Sequence, residues 1–420
     1  MILIRGGRLV DPSQRIDALR DVRIVNGRVT EIGEHLQAAP GDIVIDANNA
    51  VVAPGFIDMH VHLREPGFTE KETIASGTQA ALQGGFTAVA CMPNTEPALD
   101  RPEVLAQLAA IVASDARCRV YPVGAITRGR TGARSVDFAA LSKAGAVAFS
   151  DDGNTVMNAR VLREAALQAR DIPGPFISHA EDDDLKGDAV MTSGDVADAL
   201  GVPGAPSLGE DVIVARDLLI ALDTAKAWHI AHLSTARGLA LLRWSRAQGG
   251  TATSEVTPHH LLLTDDTVRE LGAGGKVNPP LRSQADARAL RDGVREGAID
   301  VFATDHAPHT QEEKRGDLGS AAVGFSGLEI ALGAFALALP DLPLDRFVAL
   351  LSTNPARILN LAGGTLRIGA AADVTIFADR PWAVDPTTFA SKGKSTPFAG
   401  RTLPRRAVAT IVNGELRWRL

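Results

Sequence analysis

Residues 51–62 read VVAPGFIDMHVH, an apolar run that ends in two histidines. Seven more runs of this kind follow: FTAVACMPN (86–94), RVYPVGAIT (119–127), AVAFSDDG (146–153), PFISHAED (175–182), WHIAHLS (228–234), GTATSEVTPH (250–259) and DVFATDHAPH (300–309). Stretches of helical texture separate them, among them ETIASGTQAALQGG (72–85), RPEVLAQLAAIVASDA (101–116), NARVLREAALQARD (158–171), EDVIVARDLLIALDTA (210–225) and TARGLALLRWSRAQGG (235–250). Strands that alternate with helices pair in parallel, and eight of them in roughly 300 residues predict a closed (β/α)8 barrel of TIM type. An open doubly wound sheet would carry a glycine-rich phosphate turn after its first strand, and no such turn occurs there.

The barrel is expected to occupy residues 53–362. The flanks differ from it. ILIRGGRLVD, DVRIVNGRVTEIG and DIVIDANNAVVAPG at the start, and GTLRIGAAADVTIFA and AVATIVNGELRW at the end, are strand-like with Gly, Asn and Asp between them. Asn26-Gly27 and Asn413-Gly414 are hairpin signals. Matching texture at both ends predicts one small β-sandwich domain assembled from residues 1–52 and 363–420 of an α/β protein.

Composition narrows the function. The chain has 420 residues, 45% of them apolar and 22% charged, as in an ordinary globular protein. Lys+Arg 43 against Asp+Glu 50 gives −7, which argues against partners such as nucleic acid or an anionic membrane surface. No apolar run approaches a membrane span, and MILIRGGRLVD lacks the ordered segments of a signal peptide. Cys91 and Cys118 form neither a disulfide framework nor a zinc-thiolate pattern. A cytoplasmic enzyme is expected.

In parallel barrels the site lies at the C-terminal ends of the strands. Here the runs end in His60 and His62, in Asp151 and Asp152, in His179, in His232, and in Asp305 and His306. His60 and His62 are two apart, so on a strand both rings face the same side, a natural pincer for a divalent metal. A carboxylate at Asp152 or Asp305 can reach the same mouth and, unlike histidine, can bridge two ions. Asp-Gly also opens turns, and Asp151 is the better candidate for a helix cap. His229, three before His232, is expected to point the opposite way, into the core or towards a helix; structural hydrogen bonding is expected of His259 and His260 at least as much as ligation, and His306 is expected to face away from Asp305. His35 belongs to the β-domain.

With PGFIDMHVHLREPG, the Met92–Thr95 segment MPNT, FSDDG, SHAED, IAHLS, EVTPHHL, KVNPPLR, ATDHAPHT and Gly327-Leu328-Glu329 in this order, the chain resembles class I dihydroorotases, in the cyclic-amidohydrolase branch of the metal-dependent amidohydrolase superfamily. Hydantoinases, dihydropyrimidinases and allantoinases look similar but bridge their metals with a carboxylated lysine at the end of the fourth strand. Ser150-Asp151-Asp152 stands there instead, and the nearest lysine, Lys143, precedes the strand. The resemblance therefore implies metal ligands His60, His62, Asp152, His179, His232 and Asp305 for one or two divalent ions, zinc foremost, with Asp152 as bridge. It implies substrate contacts from His62, Arg64, Asn94, Asn278 and His309, and from the backbone at Val323 and Gly324, where AVGFS departs from the usual Pro-Phe-Gly.

A guanidinium at Arg64 suits a substrate carboxylate, the alternative being an ion pair with Glu65 or Glu70. The implied reaction is reversible cyclisation of N-carbamoyl-L-aspartate to (S)-dihydroorotate in pyrimidine biosynthesis, by a metal-activated hydroxide with Asp305 as general acid and base. Ring opening creates a carboxylate and releases a proton, so closure is favoured at lower pH. The family also implies a homo-oligomer and includes members that associate with aspartate carbamoyltransferase. Competing readings are another cyclic amidase and a non-catalytic scaffold subunit, which would lack ligands that are intact here. The polar stretch 310–322 reads as a lid or as a mobile surface loop.

Overall fold

Eight short strands run parallel in sequence order: Phe56–Val61, Phe86–Cys91, Arg119–Gly124, Ala148–Phe149, Phe176–Ser178, Trp228–Ile230, Thr253–Val256 and Val301–Phe302. The computed structural model describes all 420 residues. A parallel bridge between Val61 and His306 joins the eighth run to the first, and His62 N–H donates to His306 C=O at 2.8 Å. The sheet thus closes on itself, giving the expected barrel.

Helices fill the outside because their apolar faces are covered by the strands. The helix Gln284–Glu296 buries Ala287, Leu290 and Val294, starts on the Ser283 cap and stops at Gly297, which takes the left-handed turn. Thr73 and Ser76 form a reciprocal capping box at the start of Ile74–Gly84. Phe149, Phe176, Trp228, Phe302, Phe335 and Phe347 belong to the large core between strands and helices. The core that includes Met59, Ala90, Val123, Ala148, Ile177, Ala231 and Val301 is much smaller. Its alanines leave room for the buried polar residues that share the strands.

Strands from both termini form a second sheet. Val51–Pro54 pairs antiparallel with Val374–Ala378, which joins the N-terminal strands to Arg406–Val412 and Glu415–Arg419. Inward residues from both ends, including Ile4, Val22, Val52, Val374, Ile376 and Ile411, share one separate core. Asn26-Gly27 and Asn413-Gly414 all have positive φ, as tight hairpin turns require. Val51–Pro54 runs directly into the first barrel strand, and Arg119 and Asp373 make a bidentate ion pair (2.7 and 3.2 Å) between barrel and sheet. The stretch Trp382–Leu403 lies outside that sheet. Its Ser391 donates to Glu72 (2.5 Å) and to Glu329 (3.0 Å) beside the first and last barrel strands.

Candidate metal centre

The first strand places His60 on its inner side, and His62 follows where the strand ends. Asp152, His179, His232 and Asp305 each sit just beyond the fourth, fifth, sixth and eighth strands. All six are buried. His232 and Asp305 have left-handed backbone, φ +30° and +49°. A side chain other than glycine held there marks a locally constrained site.

The donor atoms converge. His62 Nε2 is 3.1 Å and His60 Nε2 3.4 Å from Asp305 Oδ1. The same two nitrogens lie 3.4 Å from Asp152, His60 Nε2 at Oδ1 and His62 Nε2 at Oδ2. Four ligands on a tetrahedral ion with bonds of 2.0–2.1 Å sit about 3.3 Å apart, which is the spacing found. His179 Nδ1 and His232 Nε2 are 2.9 Å apart, and they lie 3.5 and 3.7 Å from the same Oδ1 that His60 approaches. Asp152 therefore faces both groups of imidazoles with one carboxylate.

These atoms fit a bound cation. His60 Nε2 and Asp152 Oδ1 are buried without any hydrogen-bond partner, which is costly unless something else binds them. Burial opposes charge on His60, yet the carboxylates of Glu255, Asp152 and Asp305 lift its pKa well above the usual value. Burial likewise opposes charge on Asp152, and His60, His179 and His232 hold it well below the usual carboxylate range. Two groups of three His and Asp donors, each within 4.8 Å of one another, suit a divalent cation.

Every residue singled out from the sequence as a ligand or substrate contact, except His60, borders one cavity of about 430 Å³. His60 lies beneath it, fully buried. Arg64, with φ +61°, contacts Pro308 C=O (3.3 Å) and His309 Nε2 (3.1 Å) and pairs with no carboxylate. The alternative ion pair does not form: Glu65 instead accepts from Ile74 N–H (2.8 Å), the first residue of a helix. Asn94 Oδ1 lies 2.8 Å from His62 Nδ1. With His62 Nε2 facing the ligand cluster, Nδ1 carries the proton, so the Asn94 NH2 is left for the cavity. Asn278 does the converse. Its NH2 donates to Glu181 (2.5 Å), leaving Oδ1 free. Gly324 has φ +113°, and a Cβ there would come within 2.6 Å of Ala307 Cβ, so no other residue fits without a shift. A larger open groove of about 920 Å³ on the β-domain, bordered by His35, Asp21 and Asp46, shows no comparable convergence.

Three expectations are corrected. Asp151 caps no helix. It accepts from Ile126 N–H (2.9 Å) and Thr127 N–H (3.0 Å), tying the loop after the third strand, while Asn158 caps the helix that follows. His229 does not point away from the ligands. Its Nε2 lies 3.3 Å from Glu255, whose other oxygen meets His60 Nδ1 at 2.5 Å. Strand alternation holds at His229 and fails at His232, because the strand ends at Ile230 and the left-handed turn swings His232 back in. The end of segment 310–322 is tied down, where Lys276 Nζ donates to three of its carbonyls. His260 bonds Thr257 and Pro279 as expected, and His306 meets Glu72. His259 is buried against Phe325 and has no hydrogen-bond partner, so the bond expected of it does not form.

Glu255 was missed. It orients His60 through Nδ1 and also accepts from His232 N–H (3.1 Å), so one carboxylate steadies a ligand of each group. Burial would raise its pKa, but His60 and His229 bring it to about 2. A glutamate inside a buried strand run is itself unusual, and that was the available signal. Asp58, which accepts from His60 N–H (3.1 Å) and Thr304 N–H (3.2 Å), was missed in the same way.

A closed parallel barrel with histidines and aspartates gathered at its mouth suits a metal-dependent hydrolase. A family model described as dihydro-orotase-like matches residues 49–237, and an amidohydrolase family model matches 273–417. The dihydroorotase of Pelotomaculum thermopropionicum is 48% identical over 419 residues (99% of this chain, 98% of that one). That of Syntrophus aciditrophicus is 44% identical over 420 residues, with the same coverage. The chain belongs to the dihydroorotase family. Among solved structures, the L-hydantoinase (dihydropyrimidinase) of Arthrobacter aurescens superposes with a TM-score of 0.88 at 23% identity, covering 99% of this chain and 95% of its own. The D-hydantoinase of a Thermus species gives 0.85 at 22% identity, covering 100% and 96%. Those likenesses establish the fold. No helix is long and apolar enough to cross a membrane.

Proposed function

We propose that this protein is a dihydroorotase, interconverting N-carbamoyl-L-aspartate and (S)-dihydroorotate plus water in pyrimidine biosynthesis. The observation that carries the reading is Arg64. A partly buried guanidinium on the cavity wall, two residues from His62 and without a carboxylate partner, is left for the ligand. A desolvated cation is costly unless an anion meets it. Dihydroorotate and carbamoyl-aspartate bring a carboxylate; hydantoin and allantoin bring none.

His60, His62 and Asp305 would hold one divalent ion and His179 with His232 a second, Asp152 bridging them, and zinc suits this donor set. Such an ion lowers the pKa of a bound water towards neutrality and polarises a carbonyl oxygen. The remaining work falls to the chain. Asp305 takes the proton of the attacking water and returns it to the ring nitrogen as the amide opens. Arg64 takes the carboxylate, with the Asn94 NH2 beside it, and Asn278 Oδ1 accepts from a ring N–H. Val323 C=O meets His309 and Gly324 N–H donates to Lys276 C=O (3.1 Å). The opposite faces of those two residues, Val323 N–H and Gly324 C=O, are left for the ring amide. Cys91 and Cys118 are free buried thiols, in keeping with a cytoplasmic setting.

Arg64→Met keeps much of the side chain's bulk and removes its charge. It is expected to raise KM for dihydroorotate by roughly 10- to 100-fold, the loss of a charge-assisted bidentate contact, with a smaller change in kcat. Steady-state kinetics in both directions check this. An unchanged KM would place the carboxylate elsewhere.

A further inference from the structure

Arg64 reaches not a carboxylate but His309, and His309 in turn meets a carboxylate from outside the barrel. Glu313 Oε2 lies 3.3 Å from His309 Nδ1 and accepts from Thr310 N–H (3.1 Å) and Thr310 Oγ1 (3.2 Å). Its other oxygen pairs with Lys71 Nζ at 2.6 Å. The row Lys71–Glu313–His309–Arg64 thus links the loop after the eighth strand to the loop after the first. A plain surface ion pair would contribute little and would leave the cavity indifferent to it. Here the pair touches a ring that borders the cavity.

We propose that Glu313 is a positioning residue: it fixes the proton of His309 on Nδ1, Lys71 holds it there, and the ring then offers Nε2 as acceptor to Arg64. The inference rests on the reading of Arg64 as the carboxylate site. Three ring contacts decide the tautomer. His309 Nε2 lies 3.1 Å from Arg64 Nη2, a donor, and 3.0 Å from Val323 C=O, an acceptor. A proton on Nδ1 satisfies Glu313 and Arg64 and leaves only Val323 C=O opposed. A proton on Nε2 satisfies Val323 alone, sets a lone pair against the Glu313 carboxylate and denies Arg64 its acceptor. The charged groups that face the ring are Arg64, Lys71 and Glu313. Burial, then Arg64 and Lys71, bring the ring's pKa to about 4, so the doubly protonated form is absent at neutral pH.

The arrangement makes the cavity wall depend on a seated loop. Lys276 Nζ holds the end of the loop by donating to Leu318 C=O (2.5 Å), Gly319 C=O (3.2 Å) and Ala321 C=O (2.9 Å). Ala322 N–H donates back to Glu313 C=O at 2.8 Å, and Lys314 Nζ to Ala322 C=O at 2.8 Å. If the loop lifts, Glu313 leaves His309, the ring is free to turn its proton to Val323, and Arg64 loses its acceptor.

The test is nitrogen NMR of the zinc-loaded full chain with 15N-labelled histidine, His309 being assigned by His309→Asn, together with steady-state kinetics. The wild type is expected to show His309 protonated on Nδ1, and Glu313→Ala to move that proton towards Nε2. Glu313→Ala should raise KM for dihydroorotate about 10-fold, a lost contact to a charged group, with kcat within about threefold. Glu313→Gln, whose amide oxygen can still accept from Nδ1–H, should keep the tautomer and most of the affinity. An Nε2–H ring in the wild type, a wild-type KM in Glu313→Ala, or a loss confined to kcat would each overturn the proposal. Should the wild type not turn over dihydroorotate at all, the proposed function fails, while the tautomer measurement still decides the role of Glu313.

Discussion

Asp305→Asn is expected to lower kcat by roughly 10²- to 10⁴-fold, the usual contribution of a positioned acid–base group, with KM for dihydroorotate little changed. The substitution isolates the chemistry well. Asp305 has φ +49°, a conformation that Asn tolerates as readily as Asp, so the turn after the eighth strand persists. Asn keeps an oxygen for the ligand cluster beside His60 and His62 but has no proton to take or give. Burial would raise the pKa of Asp305, yet His60 and His62 hold it below the usual carboxylate range, so the wild-type group is ionised at neutral pH. Metal content by elemental analysis and kcat in both directions check the expectation. A kcat within a fewfold of wild type, with metal retained, would move the acid–base role elsewhere.

Asp152→Ala should cost more. Its Oδ1 lies near His60, His179 and His232, and its Oδ2 near His62. Removing them is expected to lower bound metal by at least about one ion per chain and turnover on the order of 10³-fold or more, the several kcal/mol that a lost ion contributes. The fold should survive, since the side chain lies at the mouth and makes no hydrogen bond at Oδ1; the Arg130 contact is to Asp152 C=O (2.5 Å), which alanine keeps. Metal analysis alongside circular dichroism separates the two effects. Full metal content with full activity in Asp152→Ala would refute the bridge.

Most of the barrel could be read from the chain because each strand is an apolar run and each ends in a residue of different character. Even two-residue strands such as Ala148–Phe149 stood out by their flanks, AVAFSDDG against NARVLREAALQARD. The six candidate ligands were picked from strand ends and from the resemblance, and the structure gathers them in one place. What escaped was set by turns and by distance along the chain. Alternation of two places His229 and His232 on opposite sides, and only the backbone at His232, φ +30°, turns that ring to the mouth while His229 stays buried beside Glu255. Glu255 meets His60 across 195 residues and Glu181 meets Asn278 across 97, contacts that no local pattern encodes. Asp151 and Asp152 are chemically alike, and a choice between cap and ligand depended on which loop came close; Thr127 came to Asp151.

Two hydantoinase structures superpose on this chain, while relatives 44% and 48% identical to it are dihydroorotases. The barrel is common to both, so the distinction lies in side chains, with Asp152 at the bridge position and an unpaired Arg64 at the wall. The most direct test is turnover by one purified sample of dihydroorotate and carbamoyl-aspartate, with hydantoin and allantoin alongside, before and after chelation and after zinc is restored. The account predicts turnover of the first two alone, lost on chelation and recovered with zinc. Turnover of hydantoin or allantoin in place of dihydroorotate, or dihydroorotate turnover that survives complete metal removal, would contradict it.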